Sequence, residues 1–158
     1  AGQGDARALN KLGDRYFFGQ GVALNYAEAV KWFRKAAEQG DVEAQYDLGF
    51  MYSNGLGVPL DDAEAVLWYR KAAERGWVKA QNKLGAMYAN VRHGMQDSVQ
   101  AHMWYSVAAV RSSDRGNRAN SEQARNKVAK LMTAAQLAKA KTLAREWKPV
   151  PAHADPSR

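Results

Sequence analysis

Gly40 to Arg75 reads GDVEAQYDLGFMYSNGLGVPLDDAEAVLWYRKAAER. The same text precedes it from Gly4 to Gln39, as GDARALNKLGDRYFFGQGVALNYAEAVKWFRKAAEQ. It returns from Gly76 to Val110, as GWVKAQNKLGAMYANVRHGMQDSVQAHMWYSVAAV. The register is constant: Gly4, Gly40 and Gly76 stand 36 residues apart, and so do Trp32, Trp68 and Trp104. Leu12, Leu48 and Leu84 keep the same spacing, as do Gly13, Gly49 and Gly85, and Tyr16, Tyr52 and Tyr88. A fixed period of about 20–50 residues marks a solenoid, in which each unit buries its apolar face only against its neighbours.

Each unit carries two helical patterns. From Asp5 to Phe18, Ala8, Leu9, Leu12 and Tyr16 share one face at the spacing of an amphipathic helix. Gly19-Gln20-Gly21 breaks that helix, and Asn25 is placed to cap the next. In the second unit the break is Gly55-Leu56-Gly57, and Asp61 with Glu64 three residues on makes a capping-box signature. The second helix carries Ala29, Trp32, Phe33, Ala36 and Ala37 and stops at Gly40. A glycine inside a helix costs about 1 kcal/mol relative to alanine. Gly13, Gly49 and Gly85 therefore predict close helix approach, with Trp32 and Tyr16 filling the space between pairs.

Ala8-Leu12-Gly13-Tyr16, then Gly19-Gly21-Val22, then Ala29-Trp32-Phe33-Lys35-Ala36-Ala37-Gly40 resembles the Sel-one-like repeat family, a branch of the tetratricopeptide-like α-solenoids. Ala44-Leu48-Gly49-Tyr52, Gly55-Gly57-Val58 and Ala65-Trp68-Tyr69-Lys71-Ala72-Ala73-Gly76 repeat the pattern. The resemblance implies an all-α fold: a right-handed α–α superhelix of three helix-pair repeats, at about 4–39, 40–75 and 76–111 within residues 1–110. It also implies a bacterial interaction scaffold or adaptor whose partner is another protein, offered as a peptide or helix. The same resemblance points to the periplasm or cell envelope, with a cytoplasmic site left open.

The third unit departs from the pattern. Asn90-Val91-Arg92-His93-Gly94 lacks glycine at the two expected positions, which predicts a reshaped turn. Lys31 becomes Leu67 and then Met103, Lys35 and Lys71 become Val107, and Glu38 and Glu74 become Val110. Polar positions that turn apolar where the repeats end predict a capping helix pair over 112–148. Ser112 to Asn117 reads as a loop, followed by helices over 119–132 (lined by Val128 and Leu131) and 134–147 (Leu137, Leu143, Ala144 and Trp147). Thr133 and Gln136 form a second capping box, and Pro149 and Pro151 open a frayed tail to residue 158. Ala144-Arg145-Glu146-Trp147 resembles the close of Sel-one-like proteins. At the other end, Ala1-Gly2-Gln3 aligns with Ala37-Glu38-Gln39, so the expected start is a repeat junction left by processing or a domain boundary.

Composition bounds the chemistry. In 158 residues, 46% hydrophobic with five Trp and seven Tyr, there is ample core material and no cysteine for disulfides or thiolate ligands. No apolar run approaches the roughly 18 residues of a membrane span. Residues 1–110 hold 12 basic and 12 acidic residues, whereas 111–148 hold 10 and 3, a net +7. Nothing reads as a catalytic constellation, a cofactor site or a metal site. His93, His102 and His153 share no ligand spacing, His102 reads as packing against the cap, and Asp61-Asp62 reads as a helix cap.

A binding face is the better candidate. Opposite the apolar stripe of the first helices stand Arg7, Asn10, Asp14 and Phe17, then Tyr46 and Phe50, then Lys79 and Asn82. Resemblance to tetratricopeptide-like solenoids places that face in the concave groove. Large aromatics that vary between units, grouped with polar residues, are the chemistry of protein-recognition hot spots. The alternative is that some of them bury between units or under the N-terminal edge. Two other functions stay open: a hydrolase, on precedent from cysteine-rich relatives, and an anion-binding site at Arg111, Arg115 and Arg118. For the latter, no aromatic interleaving supports nucleic acid, and a solvated basic face explains the charges better.

Overall fold

The computed structural model describes residues 3–90 and 96–151. Among the described residues there are eight α-helices and no strand. They are α1 (Gln3–Phe18), α2 (Tyr26–Glu38), α3 (Val42–Asn54), α4 (Asp62–Glu74), α5 (Val78–Ala89), α6 (Ser98–Arg111), α7 (Arg115–Ala129) and α8 (Ala134–Glu146). The described residues fall into two compact units, 3–72 and 73–151, divided near the end of α4.

Side-chain caps start most of the helices, although α5 opens at Trp77 without one. Asn25 accepts from the Glu28 amide (3.1 Å), Asp41 from Ala44 (2.8 Å), Asp61 from Glu64 (3.0 Å) and Asp97 from Gln100 (3.0 Å). Each satisfies an amide that the first helical turn leaves without a partner. The inter-helix loop is closed in the same way in each repeat. The cap residue's own N–H donates to a tyrosine carbonyl of the preceding helix: Asn25 to Tyr16 (2.9 Å), Asp61 to Tyr52 (3.0 Å) and Asp97 to Tyr88 (2.9 Å). At Gly55 the chain leaves α3 with φ 63°, a left-handed conformation open to glycine at no steric cost. In the third repeat the helix ends one position earlier in the repeat, at Asn90 in extended backbone (φ −96°), so its turn does leave differently. The rest of that turn, 91–95 with His93, lies outside the described residues, as does His153.

In unit 1, α2 brings Ala29, Val30, Phe33, Ala36 and Ala37 against Ala44, Leu48 and Met51 of α3 and Trp68 of α4. The glycines in α1 and α3 have a more specific role than close backbone approach. A Cβ on Gly13 would sit 2.5 Å from the Phe33 ring, and one on Gly49 would sit 2.8 Å from the Tyr69 ring. Gly85 repeats this under Tyr105 at 2.8 Å. Each glycine is the seat of an aromatic ring 20 residues later, the residue after the recurring tryptophan, while Trp68 and Tyr16 pack into the core formed with α2 and α3. Trp32 and Trp68 also carry a lysine over their faces, Lys35 at 4.5 Å and Lys71 at 4.2 Å.

Unit 2 is built on α6, whose Met103, Trp104, Tyr105 and Val107 are all buried, with α7 and α8 packed against it. Val110 does not share that burial; it is 82% exposed. Helix α7 starts at Arg115 rather than at residue 119, because Asp114 caps it by accepting from Asn117 (2.7 Å). In its closing turn Val128 is buried, but Leu131 is 76% exposed. Helix α8 opens with the Thr133–Gln136 capping box, at 2.9 and 3.2 Å. Its fully buried residue is Ala140, with Leu137, Leu143 and Ala144 half-buried around it. The Trp147 ring meets Trp104 edge-on (6.1 Å) and carries the Arg111 guanidinium (5.3 Å). Beyond it the Val150 amide donates to the carbonyl of Glu74, the last residue of α4 (2.7 Å).

Candidate functional site

In unit 1, α1 and α3 present adjoining faces. Asp14, Phe17 and Phe18 of α1, with Asp47, Phe50 and Met51 of α3, line a concavity floored by Phe33. Its volume of about 50 Å³ suits the tip of a side chain rather than a cofactor. Phe17 is the hub: its ring lies 4.8 Å from Phe18, 5.3 Å from Tyr26 and 6.3 Å from Phe50. Phe17 and Phe50 are half-buried, whereas Phe18 remains 62% exposed. Tyr46, one turn before Phe50, is half-buried against Tyr69 (5.5 Å).

Carboxylates rim this aromatic patch. Asp14 is partly buried, and that burial raises its pKa above the usual carboxylate value; Glu43 and then Asp41 raise it further. Among the described residues no hydrogen bond or ion pair is drawn to the Asp14 side chain. Asp41 is committed to capping α3, whereas Glu43 is exposed. Burial, helped by the charge of Asp47, also raises the Tyr46 hydroxyl. The Tyr69 hydroxyl is pushed well above its ordinary value, mainly by burial, against a hydrogen bond from Ser53 (3.2 Å) that lowers it.

The eight residues expected on one face have different fates. Arg7, Asp14, Phe17, Tyr46 and Phe50 stay exposed or half-exposed in unit 1. Asn10 does not: it is 4% exposed, and its Oδ1 has no hydrogen-bond partner. In unit 2, Lys79 is exposed, but Asn82 accepts from Ser121 of α7 (2.8 Å). The capping helix thus occupies that position, and the equivalents of Phe50 and Phe17 in unit 2 are Ala86 and Ala89, so the aromatic surface belongs to unit 1. Phe18, which the sequence sets on the same face of α1 as Phe17, belongs to the site, and so does Asp47, to which sequence reasoning gave no weight. Phe18 was readable as a large apolar residue at a helix end beside glycine, whereas Asp47 carried no such signal.

The three arginines also separate. Arg111 covers Trp147 and lies against Gly76, and Arg118 donates to the Ser112 carbonyl (2.9 Å), while Arg115 is exposed. Two of the three are engaged in holding unit 2 together. His102 is 4% exposed, with its pKa lowered by burial first and by Arg125 and Lys141 next. Among the described residues no group of His, Asp and Glu is arranged to hold a metal ion.

Comparison with known proteins follows the same geometry. The Sel1 repeat matches at residues 6–41, 42–77 and 78–109, which together cover well over half of the chain. The chain belongs to the Sel1-repeat family. Among solved structures it is similar to c5321, a protective antigen of uropathogenic Escherichia coli displaying an SLR fold, with 38% identity and a TM-score of 0.78. It is also similar to a Sel1 repeat protein from Oxalobacter formigenes, with 31% identity and a TM-score of 0.66. The alignments cover 92% and 88% of this chain but only 30% and 62% of those chains, so it spans less than two thirds of either relative. No curated protein sequence matches it.

Sel1-repeat proteins are typically protein-interaction modules and generally non-enzymatic. The family match also frames a feature that sequence reasoning passed over. Gln45 and Gln81, one repeat apart, are buried at the start of α3 and α5. Their Nε2 atoms donate to the Ala37 carbonyl (3.2 Å) and the Ala73 carbonyl (3.0 Å). Each adds a second donor to a helix-end carbonyl that already accepts a backbone N–H, from Gly40 (3.0 Å) and Gly76 (2.9 Å). The 36-residue recurrence of the glutamine was the available signal. No described helix is long and apolar enough to cross a membrane.

Proposed function

We propose that this chain is an interaction scaffold that captures a peptide segment or helix of another protein on the α1/α3 face of unit 1. One observation carries the reading: Phe17, Phe18 and Phe50 gather around a concavity, and Phe18 is left 62% exposed beside it. A solvated aromatic costs water contacts that a partner's side chain recovers, which is how hot spots arise. Membership of a family of interaction modules supports the same conclusion. Placement in the periplasm or cell envelope is part of this proposal, and cell fractionation checks it.

A photo-crosslinking amino acid introduced at Phe18 tests the face directly. The expected result is a crosslinked partner from Phe18 and none from Leu131, an equally exposed apolar position in unit 2. Crosslinks that form at Leu131 and not at Phe18 sink the assignment, and so does the absence of crosslinks at both. Phe18→Ala serves as the functional variant, because an exposed ring contributes little to the fold and its removal leaves the core intact.

A further inference from the structure

The face described above is not only aromatic; carboxylates gather around it. Asp14 sits at the edge of the concavity, and Asp47 lines it. Glu43, exposed one turn before Asp47 on α3, and Asp41 bring two more negative charges within electrostatic reach of Asp14. On α1, Asn10 lies one turn before Asp14 on the same side, buried, with its Oδ1 lacking a hydrogen-bond partner. Two exposed cations share that side of α1, Lys11 three residues before Asp14 and Arg7 two turns, about 10 Å of helix rise, before it, against the four carboxylates. Carboxylates held together beside a low-dielectric aromatic floor repel one another, and they lose hydration when a partner covers them. A neutral or acidic segment laid there would leave that repulsion unrelieved, while a cationic segment removes it. Aromatic faces add to the preference, since they attract ammonium and guanidinium groups.

Resting on the reading of this face as a protein-binding surface, we propose that the captured segment is cationic. An aromatic or aliphatic side chain of the partner seats against Phe17, Phe18 and Phe50, and a lysine or arginine within one turn reaches Asp14 and Glu43. The size of the concavity admits one anchor tip, so the charge beside the anchor supplies the selectivity, and segments of opposite sign are excluded by unrelieved repulsion.

The test uses random peptides of about twelve residues displayed on phage, selected against the whole chain at low salt and then measured singly by fluorescence anisotropy. The enriched peptides are expected to pair a Phe, Trp, Leu or Met with a Lys or Arg three or four residues away. Their affinity should fall about tenfold in the Asp14→Asn/Glu43→Gln variant and decline with added salt. Both substitutions keep side-chain shape, and circular dichroism verifies that the variant is folded. Peptides that need Phe18 but are indifferent to the two acids overturn the charge assignment and leave the binding face standing. Peptides indifferent to Phe18→Ala, or no enrichment, overturn the charge assignment and the binding face together.

Discussion

A single atom decides the most regular contact in this chain. Where Gly49 stands, a Cβ would lie 2.8 Å from the ring of Tyr69, which is 1% exposed and has nowhere to move. Gly49→Ala would gain about 1 kcal/mol of helix propensity and lose more to overpacking, which costs about 1–3 kcal/mol. Urea denaturation should therefore show a net destabilisation, the opposite of a usual glycine-to-alanine change in a helix. His102 stands where earlier repeats have Val30 and Val66, and its folded-state pKa lies below the unfolded value near 6.5. The unfolded chain then binds the proton more readily, so stability rises with pH through the window just below 6.5 and is lost on acidification. His102→Val should flatten that acid limb. Melting curves of the two proteins at matched pH values from about 7 down to 5 check it.

Helices in this chain are defined by their first turns. Asp114 sets the start of α7 by accepting the Asn117 amide at 2.7 Å, and without that bond an early amide has water as its only partner. Asp114→Ala should cost about 1 kcal/mol and speed hydrogen exchange in the opening turn of α7. Exchange within α8 should stay unchanged, because its own Thr133–Gln136 box is intact. The same boundary explains why the sequence reading placed this helix four residues late. The run Ser112-Ser113-Asp114-Arg115-Gly116-Asn117 has loop composition throughout, and only the side-chain bond shows which Asp or Ser begins the helix. In the repeats the caps stood out, because each recurs at a fixed interval after the glycine break.

At the scale of the whole molecule, the repeats predict independence. Gly13 and Gly85 each seat a ring of their own repeat, Phe33 in unit 1 and Tyr105 in unit 2. Gly13→Ala and Gly85→Ala should therefore destabilise additively, within about 0.5 kcal/mol, in a denaturant series of the two single variants and the double. That independence is also why so much was readable beforehand. Hairpins, loop closures, caps and buried alanines all join residues inside one 36-residue period, so the recurrence of Leu48, Gly49, Trp68 and Ala72 was enough to place them. The candidate site was another matter. Asn10 and Tyr46 occupy one repeat position, yet one is buried and the other half-exposed. Asn82, at that position again, is taken by Ser121, 39 residues further on. Arg111 is likewise claimed by Trp147, and the Glu74 carbonyl by Val150. Those assignments come from long-range packing between segments that share no periodicity. Whether a face stays open to a partner depends on which distant helix lies over it, and that is settled only when the folded chain packs.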